Sequence, residues 1–371
     1  MTIYLILAIL FTLVGYEMFS PFSTDNKWKF IAVWFVLSIF WGFSYIYAPD
    51  IPGYMKYFDY KVYDWFKDGI RLPAITFEKG FNILSCILKS LVKQYYIYQF
   101  ILFSVELFLV MIGLKRLLNI DKAIILICAL FFILPMNLLG ALRQGIAISL
   151  FIFAIPYILE RNMIKYGLVI ILASFFHQSS LFLLFLYWIP LLFPLLRKKN
   201  ILICLLVLLN LCYFLGFSIS NIIDTFLLSS FTLYDGLDTY TRYVNSESRL
   251  ISNFGIAKII EMNFVYVLFI LMNKNQSNYY ELLKIMFLVY FILNMLLGGI
   301  LAHRIGYYFV IVYNVSLIIS MCLFAKQYMG KKENGYLLVC AYYIFLYLFY
   351  FNDFFSNSMV YRNLFLEHVF C

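Results

Sequence analysis

The sequence predicts an all-α polytopic membrane protein of about 12 transmembrane helices, some of them short or sunken, with amphipathic helices on its outer face. Three observations carry this expectation. Of the 371 residues, 64% are hydrophobic, enough to fill ~12 spans at roughly 20 apolar residues each. Charged residues reach only 13%, about half the ~25% usual in soluble domains. Aromatic residues make up 21% and are interleaved with the aliphatic runs. A cytosolic enzyme, a secreted disulfide scaffold and a disordered chain are excluded.

Apolar runs closed by charge or by Pro and Gly place the spans near residues 3–19, 29–47, 95–114, 123–142, 145–159, 166–176, 180–196, 201–219, 256–272, 285–301, 305–325 and 336–355. The first run has no basic residues before it and no small-residue cleavage site after it, so it reads as a retained helix. The net charge of +9 comes from basic residues scattered in ones and twos. That is a topological signal, and no nucleic-acid partner is expected. The cysteines lie mostly within apolar runs, without CxxC or zinc-like spacing, and read as packed or lipid-facing thiols.

Lys and Arg are retained on the cytoplasmic side during insertion. One set of short loops carries Lys27, Lys29, Lys115, Arg116, Lys122, Arg161, Lys165, Arg197, Lys198, Lys199, Lys274, Lys284, Lys326, Lys331 and Lys332. That is 15 of the 28 basic residues, and seven of the other 13 fall in the long segment 48–94. These loops are therefore read as cytoplasmic and both termini as outside. The whole chain, 1–371, reads as a single transmembrane domain with two outer segments long enough to build something, 48–94 and 220–255. In the first, Tyr54, Tyr57, Phe58, Lys61, Val62, Trp65 and Phe66 recur at helical spacing opposite Lys56, Asp59, Asp64, Lys67 and Asp68. After Pro73, a second stretch sets Ile83, Leu84, Ile87, Leu88, Leu91 and Val92 against Asn82, Ser85, Lys89 and Lys93. Both are expected to lie on the membrane surface and shield the bundle.

Chemistry is expected in the outer layer. Arg143 stands between the fourth and fifth spans, Arg304 between the tenth and eleventh, and Arg362 after the twelfth. An arginine at a helix end can simply snorkel, but three isolated ones suit an anionic headgroup, because a planar guanidinium grips phosphate oxygens bidentately and stays charged. Between Lys165 and Arg197 only ~31 residues make a membrane round trip. At 1.5 Å per residue they give ~46 Å where about 60 Å is needed, so the turn at Phe176-His177-Gln178-Ser179-Ser180 is expected to be sunken. His177 at that turn is the general-base candidate, against the commoner role of a histidine as a hydrogen-bonded structural residue. Asp50 and Glu78 are the outer carboxylates that orient it or compete with it. His303 and His368 are weaker candidates. Glu17, Glu106 and Glu261 fall within spans, and Lys258 lies one turn from Glu261, so pairing inside the bundle is the default there. No HxxxH, HExxH, DxD or Gly-rich phosphate loop supports a metal or nucleotide site, and no cofactor is expected.

The chain resembles the EpsG-type polysaccharide polymerases, relatives in function of the Wzy-type polymerases. The resemblance runs through Asp50-x-x-x-Tyr54, Phe77-Glu78-Lys79-Gly80-Phe81, Leu142-Arg143-Gln144-Gly145-Ile146-Ala147 with Tyr157 and Arg161, Lys165-Tyr166, Phe176-His177-Gln178-Ser179-Ser180-Leu181, His303-Arg304-Ile305 and Tyr361-Arg362-Asn363. Two departures fall in the outer loops: Lys79 follows Glu78, and Val360 precedes Tyr361, where the family often has Pro. The resemblance implies an inverting, metal-independent glycosyltransferase of the bacterial cytoplasmic membrane, acting outside the cell or in the periplasm. It would join polyprenyl-diphosphate-linked glycans, donor to acceptor, into O-antigen, capsule or exopolysaccharide. His177, Asp50 and Glu78 would be its catalytic residues, Arg143, Arg304 and Arg362 would hold the diphosphate, and Gln144, Tyr54, Ser180 and Tyr361 would support the substrate. Membrane lipid and a chain-length regulator are the further partners. A membrane O-acyltransferase with the same base and a lipid-linked glycan flippase are the alternatives.

Overall fold

A computed structural model of the chain describes residues 27–45, 50–74, 77–118, 130, 133–215, 256–272, 277–297, 305–330, 335, 337–339, 341–342 and 362–363. The elements are helical apart from one pair of two-residue strands. Five described helices are long and apolar enough to cross a membrane: Tyr95–Leu117, Leu142–Leu159, Gln178–Leu196, Asn278–Leu296 and Tyr307–Tyr328. Phe30–Gly42, Met163–Ser174 and Lys199–Phe214 are apolar but shorter. The described residues thus provide five full-length spans rather than the expected twelve. The expected span 3–19 lies outside the described residues, as do most of 336–355 and nearly half of 123–142.

The chain divides into two compact units, Met1–Tyr187 with Met329–Cys371, and Trp188–Tyr328. In the first, α1 (Lys27–Gly42) packs on α5 (Tyr95–Leu118), α5 on α7 (Leu142–Leu159), and α7 on α8 (Met163–Ser174). The short α6 (Ile133–Leu138) precedes α7. Gly145 is required at this turn, since a Cβ there would sit 2.3 Å from the Leu138 carbonyl oxygen. Strand β1 (Ser44–Tyr45) pairs antiparallel with β2 (Arg362–Asn363), with Tyr45 opposite Arg362. The amide of Gln99 donates to the carbonyls of Gly42 and Ser44, 2.9 Å each, tying the end of α1 to α5.

The outer segment builds α2 (Ile51–Tyr60), α3 (Trp65–Asp68) and α4 (Lys79–Leu91). The first expected amphipathic run is broken after Tyr60. Asp64 caps α3 through a hydrogen bond accepted from the Phe66 amide and pairs with Lys93, so this charge is buried and Phe66 is exposed. The second run is helical, but burial does not follow its two expected faces, since Leu88 is buried with the polar side. Asn82 and Ser85 are buried, with Ile83, Ile87 and Leu91 exposed. Tyr57 donates to Asn82 Oδ1 at 2.6 Å, and the Ser85 and Tyr98 hydroxyls lie 2.9 Å apart. Where the surroundings are lipid, polar groups find partners by turning inward and the apolar stripe faces out.

The limb leaving Lys165 is short, as expected: the 12 residues of α8 rise about 18 Å. The return limb differs. It is a 15-residue 3₁₀ helix, Gln178–Leu192, whose rise of about 2.0 Å per residue covers ~30 Å, followed by α9 (Phe193–Leu196).

In the second unit, α10 (Lys199–Phe214), α11 (Ile256–Leu271), α12 (Asn278–Ile292) and α13 (Val310–Tyr328) pack together. A π-helical turn, Leu293–Leu297, extends α12. Polar side chains pair both between and within these helices. Asn210 and Asn263 exchange amide hydrogen bonds at 2.7 and 3.0 Å. Glu261 accepts from Tyr313 at 2.5 Å and from Lys258 at 2.9 Å. Lys284 and Glu281 form a buried pair at 2.7 Å. The expected intrahelical pairing of Lys258 with Glu261 is therefore present. Glu17 lies outside the described residues. Glu106, in the first unit, is buried in α5 with neither oxygen hydrogen-bonded among the described residues.

Candidate functional site

Three segments far apart in sequence meet in the first unit. The first is the start of α4. Glu78 holds its N-cap position yet makes no capping bond with its own helix. The second is the start of α7, where Arg143 is the second residue and Ala141, at the N-cap, has no side chain able to cap. The third is the turn after α8, fixed by the His177 amide donating to Ala173 O and by the Ser180 amide donating to His177 O, both at 3.0 Å.

The first and third segments are bolted together through the backbone. The Gly80 amide donates to the Phe175 carbonyl at 3.0 Å. Only glycine permits this approach, because a Cβ on residue 80 would stand 2.7 Å from that oxygen. The contact sets the first turn of α4 against the His177 turn.

Glu78 bridges the other two segments with its two oxygens. Arg143 Nη1 donates to Oε2 at 2.6 Å. His177 Nδ1 lies 3.1 Å from Oε1. Glu78 and His177 side chains are each 13% exposed and Arg143 26%. Burial alone would push the Glu78 carboxyl up, but the His177 hydrogen bond and the Arg143 charge outweigh it and hold the group at about 2. An ionised carboxylate only accepts hydrogen bonds, so Nδ1 carries the proton and donates. In the neutral ring, Nε2 is then the lone-pair nitrogen. Nε2 is buried and has no partner among the described residues.

Arg143 is held on its other sides by Tyr54, whose hydroxyl accepts from Nε at 3.4 Å, and by the Phe77 ring, 4.3 Å from the guanidinium carbon. Burial pushes the Tyr54 phenol up, against the opposing Arg143 charge, which keeps it neutral. Tyr54, Tyr57, Phe77 and Phe81 form an aromatic cluster with ring centroids 4.8–6.1 Å apart.

Of the residues singled out in the sequence, Glu78, His177, Arg143 and Tyr54 thus come together. Arg143 is not the isolated guanidinium that its apolar neighbours suggested; its counter-charge comes from 65 residues earlier. Asp50 is exposed at the N-cap of α2 and forms no hydrogen bond or ion pair with His177, Glu78 or Arg143. Gln144 is buried beside Arg143, and Ser180 is buried one turn after His177. The backbone of Arg362 is placed by the β1–β2 pairing. Arg304, Tyr361, His303 and His368 lie outside the described residues. The sequence reading missed Phe77 as the ring beneath Arg143 and Gly80 as the tether. The run Phe77-Glu78-Lys79-Gly80 was visible, but only the partners' positions give these two residues their roles.

Chemically the cluster offers a cation, a carboxylate held in its charged form, and an imidazole whose buried Nε2 has no partner among the described residues. Over residues 2–367 the chain matches the sequence model of the EpsG family. No curated protein and no solved structure matches it.

Proposed function

The chain belongs to the EpsG family and is a membrane protein of polysaccharide biosynthesis; on that premise we propose that it polymerises polyprenyl-diphosphate-linked glycans by inverting glycosyl transfer. One observation carries the reading: a single carboxylate, Glu78, joins a guanidinium to an imidazole whose other nitrogen has no partner among the described residues. Transfer needs a base on the acceptor hydroxyl and positive charge where the diphosphate leaves. His177 Nε2 takes the hydroxyl proton as that oxygen attacks the anomeric carbon. The carbon–oxygen bond to the diphosphate breaks on the opposite face, and its electron pair leaves with the lipid diphosphate.

Arg143 meets the charge that develops there. The start of α7 adds to it, since the first amides of an uncapped helix point at an anion and the helix dipole favours negative charge. Glu78 orients His177 and fixes its tautomer. Tyr54 and Phe77 hold the guanidinium in place. Arg362 and Arg304 are proposed as further cations toward the diphosphate, with Gln144 and Tyr361 in support, and Asp50 as a carboxylate at the rim. The site faces outward, with Lys198 inside; a cysteine at 198 labelled only from outside would reverse this orientation.

The test uses lipid-linked repeat units that accumulate in a strain lacking the protein. Purified protein in lipid nanodiscs should join them without nucleotide sugar and in the presence of a chelator. The variant His177→Gln, which keeps size and hydrogen bonding but takes up no proton, should assemble normally and lose about 10²-fold or more in turnover. No joining by the wild type would sink the polymerase reading; a fully active His177→Gln would sink the assignment of the base.

A further inference from the structure

The turn that carries His177 holds a second unmatched polar atom. Ser180 is fully buried, and its Oγ has no hydrogen-bond partner among the described residues, in the same condition as His177 Nε2. A buried hydroxyl left unpaired is unfavourable, and each such group in a folded protein calls for a reason. Two of them three residues apart on one turn call for a common one.

The winding supplies the spacing. The Ser180 amide donates to the His177 carbonyl at 3.0 Å, the three-residue bond of a 3₁₀ turn. That bond holds the two residues three positions apart on one tight turn. An oxygen atom bonded to both would stand roughly 2.8–3.0 Å from each.

We propose that Ser180 Oγ and His177 Nε2 together seat the attacking hydroxyl of the acceptor sugar. The inference rests on the polymerase reading and deepens it by giving the acceptor a place in the site. The acceptor hydroxyl donates its hydrogen to Nε2, and the Ser180 hydroxyl donates to one lone pair of the same oxygen. The other lone pair is left directed at the anomeric carbon. As the new oxygen–carbon bond forms, the acceptor proton passes to Nε2, and the bond to the diphosphate breaks. Ser180 keeps its own proton throughout, so it orients the nucleophile and exchanges nothing with it.

The seat makes an unusual demand on Ser180→Ala. Because Oγ has no partner among the described residues, its removal deletes an unsatisfied group and leaves the packing intact. The variant should melt at the same temperature as the wild type or higher. Its acceptor affinity should still fall. The probe is the free repeat-unit oligosaccharide, which carries no lipid diphosphate and so acts only as acceptor, with the lipid-linked unit as donor.

The expected result is a roughly tenfold rise in KM for the free oligosaccharide, the loss of one neutral hydrogen bond, with KM for the donor changed less than twofold. An unchanged acceptor KM overturns the seat. So does a lowered melting temperature with acceptor and donor KM rising together, because that is the signature of a structural hydroxyl. His177→Gln in the same assay separates the two claims. Full activity there removes the base, whereas the acceptor KM of Ser180→Ala reads the seat alone.

Discussion

Replacing Glu78 by glutamine keeps the shape of the site and changes the position of one proton. In the native site Arg143 Nη1 donates to Oε2 at 2.6 Å and His177 Nδ1 lies 3.1 Å from Oε1. Arginine has five donors and no acceptor. A glutamine at 78 must therefore give its one oxygen to Arg143 and turn its NH₂ toward His177. The ring then presents a lone pair at Nδ1 to receive that donor, and the proton moves to Nε2, the nitrogen proposed to act as base. Where an amide replaces the carboxylate behind a catalytic imidazole, the wrong tautomer lowers turnover by up to ~10⁴-fold. The expected loss is ~10³-fold or more in kcat, with donor KM changed little because Arg143 remains bonded. Turnover of lipid-linked repeat units gives the rate. Nitrogen-15 spectra of histidine-labelled protein, with His303 and His368 replaced, report the tautomer without reference to activity. A Glu78→Gln variant that shows the Nε2–H tautomer and keeps more than a tenth of wild-type turnover would refute the reasoning.

Arg143→Lys keeps the charge but loses the Tyr54 contact and the flat face on Phe77. Polymerisation should fall by about 10–100-fold, with the change in donor KM read at matched expression. Gly80→Ala places a Cβ 2.7 Å from the Phe175 oxygen, which should destabilise the first unit by roughly 1–3 kcal/mol. It should also cut turnover by up to ~10²-fold through misplacement of Glu78 against His177, read as melting temperature and kcat on the same sample. The Glu78 carboxyl is held at about 2 against an ordinary 4.5, so its pairing stabilises the fold fully above the ordinary value and is lost as pH falls through about 2. Wild-type melting temperature should therefore drop more steeply than that of Glu78→Gln between pH 4.5 and 2, and Glu78 should add no limb to the activity profile above pH 5.

Apolar run length, which needs no tertiary information, located some of the helices. The expected 145–159, 180–196 and 305–325 fall within helices of the described structure. Facing was harder to read. The periodicity of α4 gave a helix but not which of its residues are buried, since a pattern of alternating polarity is unchanged when the helix is turned by half a revolution. Only the surroundings choose: Asn82 and Ser85 find Tyr57 and Tyr98 on the inside, and Ile83, Ile87 and Leu91 are left outward. The break at Asp64 was missed for a similar reason. A charge that caps a helix and pairs with Lys93 can be buried at a position the pattern reads as solvent.

The site divides along the same line. His177 was legible because the distance between Lys165 and Arg197 is too short for two full spans, an argument from chain length alone. Arg143 was legible as an expensive residue, but its environment was not, because Glu78 is 65 residues away and reaches it only after α4 is tethered to the turn after α8. That tether depends on Gly80, whose sequence signature is a missing side chain. Reading the three arginines as a clamp assumed that each was waiting for phosphate. For Arg143 the structure shows a carboxylate already in place. In the proposed reaction an incoming diphosphate shares the guanidinium with Glu78 rather than filling an empty cradle, and the anion's approach weakens the hold of Arg143 on the carboxylate proposed to orient His177. In that reading donor binding and the base are linked through one residue, so substitutions at 78, 143 and 177 should be strongly non-additive, whereas Ser180, whose side chain bonds neither Arg143 nor Glu78, should combine with Arg143→Lys nearly additively.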